Sequence, residues 1–406
     1  MEARSHASLA IDRLVDERRV PVRTALLTNF IPPYVLPVLR VLQDSVGSLR
    51  VFLSTPMEND RPWASAWDGV DVIVQRSIAT RHKRSFQVGY SETIVRHFPY
   101  DTLPQLHRYR PEVIVSAQLG FRTVQAAAYC QLHPSCRLVI WADLSQHTER
   151  EVGAIQRQVR RSLLARADAV VVTGRSGLEY IQGLGVPADR IVIAPYVTDS
   201  SSLPRPPLPW DTLVVRRFLF VGQLIERKGL EPFLRALAQW ASEHTEEKCE
   251  MWLVGDGPLR NALERVPVPP NLALNFFGNV PYNETRDFYL RAGIFVLPTL
   301  SDTWGLVINE ALAAGLPILG SRYSQAVQEL VTDGVNGWTF HADRPGEVMD
   351  ALKRALSCSL PQLAEMSKNS KRISGNLTPA YSANCFARAI KIASAPGLGS
   401  GVATHE

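Results

Sequence analysis

Residues 293–320 read GIFVLPTLSDTWGLVINEALAAGLPILG, and the rest of the chain is best read outward from them. Residues 293–299 are a short, almost wholly apolar run of the kind that forms a buried strand. Residues 306–314 carry helical periodicity, which stops at Gly315, a glycine just past the last periodic position. Between them Ser301-Asp302-Thr303-Trp304-Gly305 is a polar loop with one glycine. The pattern predicts a strand, a tight turn and a helix.

A helix start presents unpaired backbone N–H groups and the positive end of the helix dipole, a combination that suits a phosphate. Gly305 lets the backbone approach a ligand closely. Asp302 and Glu310 flank the turn with seven residues between them. Both can therefore address one elongated ligand whose diphosphate lies at the helix mouth. A molecule with hydroxyls at both ends and a diphosphate between them is a nucleotide sugar. The same acid, loop, glycine and helix also recur as an ordinary turn of doubly wound sheets, with Asp302 as no more than an N-cap. The remainder of the chain has to separate the two readings.

The stretch resembles the signature of retaining GT-B glycosyltransferases of the family-4 type, the glycosyl transferases group 1. Their usual form is Glu-x-Phe-Gly-(x4)-Glu followed by Ala and a Gly-x-Pro. Here it is Asp302-x-Trp304-Gly305-(x4)-Glu310, then Ala311 and Gly315-Leu316-Pro317. Aspartate in place of the first glutamate shortens the arm that the family uses on the donor sugar.

A chain of 406 residues is too long for one ordinary core, so two domains of about 150–200 residues are expected. Hydrophobic residues make up 46% and charged residues 20%, which excludes an extensively disordered chain. Five cysteines without a CxxC pair point to a reducing compartment and to no metal cluster. The first 20 residues lack the apolar core of a signal peptide, and no later run has the length of a membrane span. A cytoplasmic protein is the expectation. The net charge is +5, and the whole excess lies in residues 1–200, with 24 Lys+Arg against 19 Asp+Glu.

Short apolar runs at residues 22–30, 49–55, 71–77, 112–118, 137–143 and 169–174 alternate with helical stretches such as 121–131 and 148–165. Such alternation implies a parallel sheet with right-handed crossovers. After the first run comes Asn29-Phe30-Ile31-Pro32-Pro33-Tyr34, where many members of the resembled family carry a glycine pair. The prolines predict a stiffer loop. Residues 148–166 read as an amphipathic helix with Val152, Ile155, Val159 and Leu163 on one face and Arg150, Arg157 and Arg161 opposite. That basic face is either simply solvated or drawn to anionic lipid. Arg81-His82-Lys83-Arg84 adds a basic cluster, expected in a loop. Asp143 and His147 follow a strand end where relatives often carry a histidine near the reacting sugar. Each is read as a polar or acid/base group, or else as a surface residue. Residues 175–199 resemble the family's closing segment of the first domain. Residues 200–210 (SSSLPRPPLPW) read as a semi-rigid linker.

The second half opens with the run 217–221, then Gly222-Gln223-Leu224-Ile225-Glu226-Arg227-Lys228-Gly229 and a helix over residues 230–242. Arg227 and Lys228 are placed to neutralise a diphosphate, which gains negative charge as it leaves a sugar. A lysine at a helix start can equally face solvent. The family pattern is Gly-Arg-(x4)-Lys-Gly, matched here except that Gln223 replaces the arginine and offers neither charge nor a bidentate fork. Two further strand-to-glycine turns follow, at Gly255-Asp256-Gly257 and at Gly278-Asn279-Val280. They line up successive strand ends, where open α/β sheets bind ligands. In the resembled family the backbone matching residues 278–280 holds the nucleobase. Residues 381–393 look like the family's C-terminal helix, which crosses back onto the first domain.

The resemblance covers nearly the whole chain and is densest over residues 217–340. It implies an α/β, GT-B protein: two Rossmann-like doubly wound parallel-sheet domains facing a central cleft. The expected boundaries are an extension at 1–20, an acceptor-side domain at 21–199, a linker at 200–212, a donor domain at 213–375, and a crossover helix and tail at 376–406. The implied reaction moves a sugar from UDP or GDP to an acceptor hydroxyl with retention, as in polysaccharide or lipid-linked saccharide assembly. The acceptor is a saccharide, a lipid-linked molecule or a small molecule, and peripheral contact with an anionic membrane at its inner face is a further expectation. In this reading Asp302 holds the donor sugar and Glu310 the ribose. The amides of residues 304–306, including Leu306, meet the diphosphate together with Lys228 and Arg227. No obligatory metal, cofactor or nucleic acid is expected. A nucleotide-sugar epimerase of the same fold and a non-catalytic nucleotide-sugar-binding protein are the alternatives. A dinucleotide dehydrogenase is disfavoured because no GxGxxG follows the first strand.

Overall fold

The structure is a computed structural model that describes residues 20–58, 67–86, 89–198 and 216–395. The expected N-terminal extension, the linker at 200–212 and the end of the tail lie outside the described residues, apart from the extension's last residue. Among the described residues the chain forms a seven-stranded sheet, a six-stranded sheet and a two-stranded ribbon. They fall into two compact units. One holds residues 216–378 together with Lys83–Glu92, and the other holds the preceding α/β segment with residues 379–395.

In the N-terminal unit the strands are β1 (Val20–Thr28), β2 (Val46–Leu53), β3 (Asp71–Val74), β6 (Val113–Ala117), β7 (Arg137–Ala142), β8 (Ala169–Val172) and β9 (Ile191–Ile193), in spatial order β3-β2-β1-β6-β7-β8-β9. All pairs are parallel. Parallel strands are covered on both faces, which is why they read as continuous apolar runs. Val113, Ile114 and Val115 are at most 1% exposed, and residues 169–172 are fully buried. The helices α1 (Leu36–Ser45), α2 (Thr102–Tyr109), α3 (Phe121–Leu132), α4 (Ala154–Leu164) and α5 (Arg175–Gly183) connect the strands. The final helix, Pro379–Ser394, packs on α1 and on the strands of this unit.

Two expectations fail here. Arg81-His82-Lys83-Arg84 is not in a loop but in β4 (Ser77–Phe86), paired with β5 (Tyr90–Pro99) in the ribbon. Pairing with β5 satisfies the backbone whatever the side chains prefer, and the four residues alternate between exposed and half-buried. The helix expected over 148–166 begins only at Ala154, after a turn. Its apolar face is packed only in part: Val152 and Leu163 are buried together with Arg160 and Leu164, whereas Ile155 is 85% exposed and Val159 50%. On the inward side Arg160 pairs with Glu149 and donates to the Tyr180 hydroxyl at 2.8 Å, next to the buried Leu163 and Leu164.

The second sheet runs β12-β11-β10-β13-β14-β15, again all parallel. Its strands are β10 (Arg217–Val221), β11 (Cys249–Val254), β12 (Leu272–Gly278), β13 (Ile294–Leu297), β14 (Ile318–Ser321) and β15 (Gly337–Phe340). The helices between and after them are α6 (Leu230–Glu243), α7 (Arg260–Leu263), α8 (Tyr282–Arg291), α9 (Val307–Ala314), α10 (Gln325–Leu330), α11 (Pro345–Leu356) and α12 (Leu360–Ser374). Phe218, Leu219, Phe220 and residues 294–297 are completely buried at its centre. The strand order reverses between β10 and β13, which lie side by side with Phe218 opposite Ile294 and Leu219 opposite Phe295. A crevice therefore opens beyond their C-terminal ends, the position at which doubly wound sheets take ligands. The loops that leave those two ends hold the residues singled out in the sequence.

Candidate functional site

The loop after β10 descends through Gly222 and Gln223 into a single 3-10 turn, Glu226–Lys228, and enters α6 at Gly229. Gly229 has φ 62°, and a Cβ there would meet the carbonyl oxygen of Pro298 at 2.2 Å. Only glycine lets this loop lie against the end of β13. The contact is fastened by Leu300 N–H donating to Arg227 O at 2.8 Å and by the Thr299 hydroxyl donating to the same oxygen at 3.1 Å.

On the other side, β13 leads through residues 298–306 into α9. Asp302 N–H donates to Tyr323 O at 2.9 Å, which pins the backbone of the acid. Gly305 has φ 97°, and a Cβ there would come within 2.8 Å of the Ser324 hydroxyl. Trp304 is 2% exposed, and its indole donates to Asn309 Oδ1 at 2.8 Å. The indole thus anchors the helix start, and only its backbone is left for a ligand. Leu306, at the N-cap, supplies no side-chain cap. The helix mouth keeps its anion-binding character.

These two loops bring three charges together. Lys228 Nζ lies 2.5 Å from Asp302 Oδ2, and Arg227 Nη1 lies 3.7 Å from Asp302 Oδ1 while donating to Ser301 O at 2.8 Å. Arg227 Nε also donates to Glu92 Oε1 at 3.1 Å. Burial lowers the Lys228 ammonium below the ordinary lysine value, despite the opposing pull of Asp302. Burial pulls Arg227 down as well, yet Asp302 and Glu92 more than offset it and its pKa ends raised. The difference follows from partners: Arg227 has two carboxylates and Lys228 has one in contact.

Glu310, in the first turn of α9, is held differently. It is 8% exposed, and the Tyr289 hydroxyl of α8 donates to its Oε2 at 2.6 Å. Burial raises its pKa above the usual carboxylate value, and hydrogen bonds from Tyr289 and Tyr282 pull the other way. Tyr289 and Tyr282 were not singled out in the sequence, although two tyrosines seven residues apart on one short helix share a face. Glu92 left no signal at all, since it lies 135 residues from Arg227 in the chain.

The remaining candidates line the strand ends of the same sheet. Gly222 N–H donates to Val254 O at 2.9 Å and Gly255 N–H to Gly278 O at 2.7 Å, so the loops after β10, β11 and β12 are stitched in series. Gly257 N–H donates to Asp256 Oδ1 at 2.8 Å, and Val280 is half-buried just past β12. The side chain of Gln223 is exposed, whereas Arg227 reaches the Lys228–Asp302 pair. Arg227 thus places a guanidinium beside that pair. Asp143 and His147 lie in the other unit. Asp143 follows β7 beside Tyr196, whose hydroxyl is pushed well above its usual pKa by burial and then by Asp143. His147 Nδ1 stands 2.9 Å from Arg150 Nη2.

Residues 215–358 match the family model described as glycosyl transferases group 1, and residues 31–197 match that of the glycosyl transferase 4-like domain. The chain belongs to the group 1 glycosyl transferases. Among curated proteins, this group 1 chain is 28% identical over 144 residues to an uncharacterised glycosyltransferase of Methanocaldococcus jannaschii, covering 35% of this chain and 36% of that one. It is 29% identical over 198 residues to D-inositol 3-phosphate glycosyltransferase 2 of Catenulispora acidiphila, covering 45% of each. The chain thus spans less than half the length of these curated relatives. Anabaena HepE, solved with UDP and glucose, superposes with a TM-score of 0.66 at 14% identity over 91% of this chain and 99% of HepE. The group 1 chain has the GT-B fold.

Proposed function

We propose that this chain transfers a sugar from a nucleoside diphosphate to an acceptor hydroxyl with retained configuration. The observation that carries the reading is the Lys228–Asp302 pair, with Arg227 beside it, at the switch point of the second sheet and next to an uncapped helix start. As the bond between the sugar C1 and the diphosphate oxygen breaks, the electron pair goes to the diphosphate. Lys228, Arg227 and the amides of residues 304–306 meet the added charge. The acceptor oxygen forms the new bond to C1 and gives up its proton, which the departing phosphate oxygen on the same face takes. Asp302 holds sugar hydroxyls once the cations turn to the diphosphate, and Glu310 takes the ribose. The cations supply the neutralisation, so the reading asks for no divalent metal.

Uridine is the favoured base, because HepE is solved with UDP and with UDP-glucose. On the acceptor side we assign Asp143 and His147 as the polar groups that follow a strand end, the first beside Tyr196 and the second beside Arg150. Exposed Ile155 and Val159 on a helix that also exposes Arg157 and Arg161 support peripheral contact with an anionic surface. No helix among the described residues is long and apolar enough to cross a membrane. The test is a panel of nucleotide sugars with saccharide and lipid-linked acceptors, run with and without a chelator. Transfer that survives chelation and collapses in Lys228→Met supports the reading. Full transfer by Lys228→Met, Asp302→Ala and Glu310→Ala alike overturns it.

A further inference from the structure

The cationic loop is not empty-handed in the protein alone. Glu92 and Ser91, from β5, belong to the same compact unit as residues 216–378. Ser91 N–H donates to Glu226 Oε2 at 2.8 Å, and Glu92 Oε1 accepts from Arg227 Nε at 3.1 Å. Next to them Tyr90 is 5% exposed and stacks on Phe86 with ring centroids 4.6 Å apart, so this end of the ribbon is packed rather than loose. The result is two carboxylates, Asp302 and Glu92, facing two cations, Lys228 and Arg227. Asp302 has a use once a donor arrives, as a hydroxyl acceptor. Glu92 has none that the sugar-transfer reading supplies. Its charge is placed to compete with a diphosphate for Arg227.

We propose that Glu92 is a built-in competitor of the donor diphosphate: it holds Arg227 in place while the site is free, weakens the grip on nucleoside diphosphate, and so favours product release. This rests on the reading that the diphosphate lies against Arg227 and Lys228. The sign of the effect separates it from a plain positioning role. A residue that only orients Arg227 strengthens diphosphate binding, and its loss weakens it. A competitor does the reverse. The Glu92 side chain is 35% exposed, so its hold on Arg227 is partly screened by solvent.

The experiment is calorimetric titration of UDP, GDP, uridine and guanosine into the wild type, Glu92→Gln, Arg227→Gln and the double variant. Glu92→Gln is expected to bind the preferred nucleoside diphosphate about fivefold more tightly, the scale of one partly screened charge pair. It should leave the matching nucleoside unchanged. The gain should vanish in the Arg227→Gln background, because the two effects pass through one contact. In transfer assays, inhibition by the nucleoside diphosphate product should deepen by the same factor. Unchanged or weaker diphosphate binding by Glu92→Gln, with Arg227→Gln and Lys228→Met still weakening it, overturns the inference and leaves the donor site standing. Failure of the wild type to bind either diphosphate overturns both.

Discussion

Lys228 and Asp302 are 74 residues apart in the chain, and their side chains meet at 2.5 Å beyond adjacent ends of β10 and β13. Neither is more than 15% exposed. The pair is thus largely screened from water.

Breaking it should separate stability from chemistry. Lys228→Met leaves a mostly buried carboxylate without its closest partner and should cost about 3 kcal/mol of stability. The double variant Lys228→Met/Asp302→Asn should recover most of that in a thermal melt. Transfer should stay about a hundredfold or more below wild type in both, since the charge on the leaving group remains unmet. Recovery of transfer along with stability would mean the pair is only structural.

Glu310 predicts a pH dependence. Its pKa is raised by burial, so its contribution to folding is fully present below the unfolded value and is lost as pH rises through the folded one. At neutral pH the buried charge is a burden, and Glu310→Gln should raise Tm by ~2–4 °C for each kcal/mol relieved. Donor binding should respond in the opposite sense. It should weaken on acidification at a pH above the ordinary glutamate value, and that midpoint should disappear in Glu310→Gln. Tyr289→Phe removes a hydrogen bond that opposes the shift, so the midpoint should move higher still. Titrating nucleoside diphosphate affinity from pH 4 upwards checks all three.

Gly229→Ala should damage fold and site together. The substitution places a Cβ 2.2 Å from Pro298 O in a left-handed backbone, so the loop bearing Arg227 and Lys228 has to withdraw from β13. A loss of about 1–3 kcal/mol is expected, with a matching fall in diphosphate affinity. A mild effect on the melt with intact binding would show that the loop is not held by this contact.

The exposed face of α4 predicts vesicle binding. Ile155→Ser/Val159→Ser should reduce co-sedimentation with anionic vesicles, and added salt should reduce it further, as expected for apolar insertion assisted by basic residues. Nucleoside diphosphate affinity, which the proposed reaction assigns to the other unit, should not change. Equal sedimentation of the variant and the parent would dismiss this surface.

Much of this protein is written in short-range pattern. Continuous apolar runs declare strands covered on both faces, as at residues 294–297, because a parallel strand has no polar side to show. Strand, glycine and helix in succession announce the turns that carry Lys228, Arg227, Asp302 and Glu310. Those features depend on neighbours a few residues away. What lies outside that range needed the fold. Which loops meet is decided by the reversal of strand order between β10 and β13, and no local signal encodes it. The inward side of α4 is another such case: periodicity ranks Ile155 and Val159 with Leu163, but Arg160 is buried instead of them, paired with Glu149, a partner that only the packed structure places. Glu92 shows the same limit most plainly. A lone glutamate in a polar strand carries no mark of its partner, and only tertiary packing sets it against Arg227, where distance and dielectric give its charge a consequence.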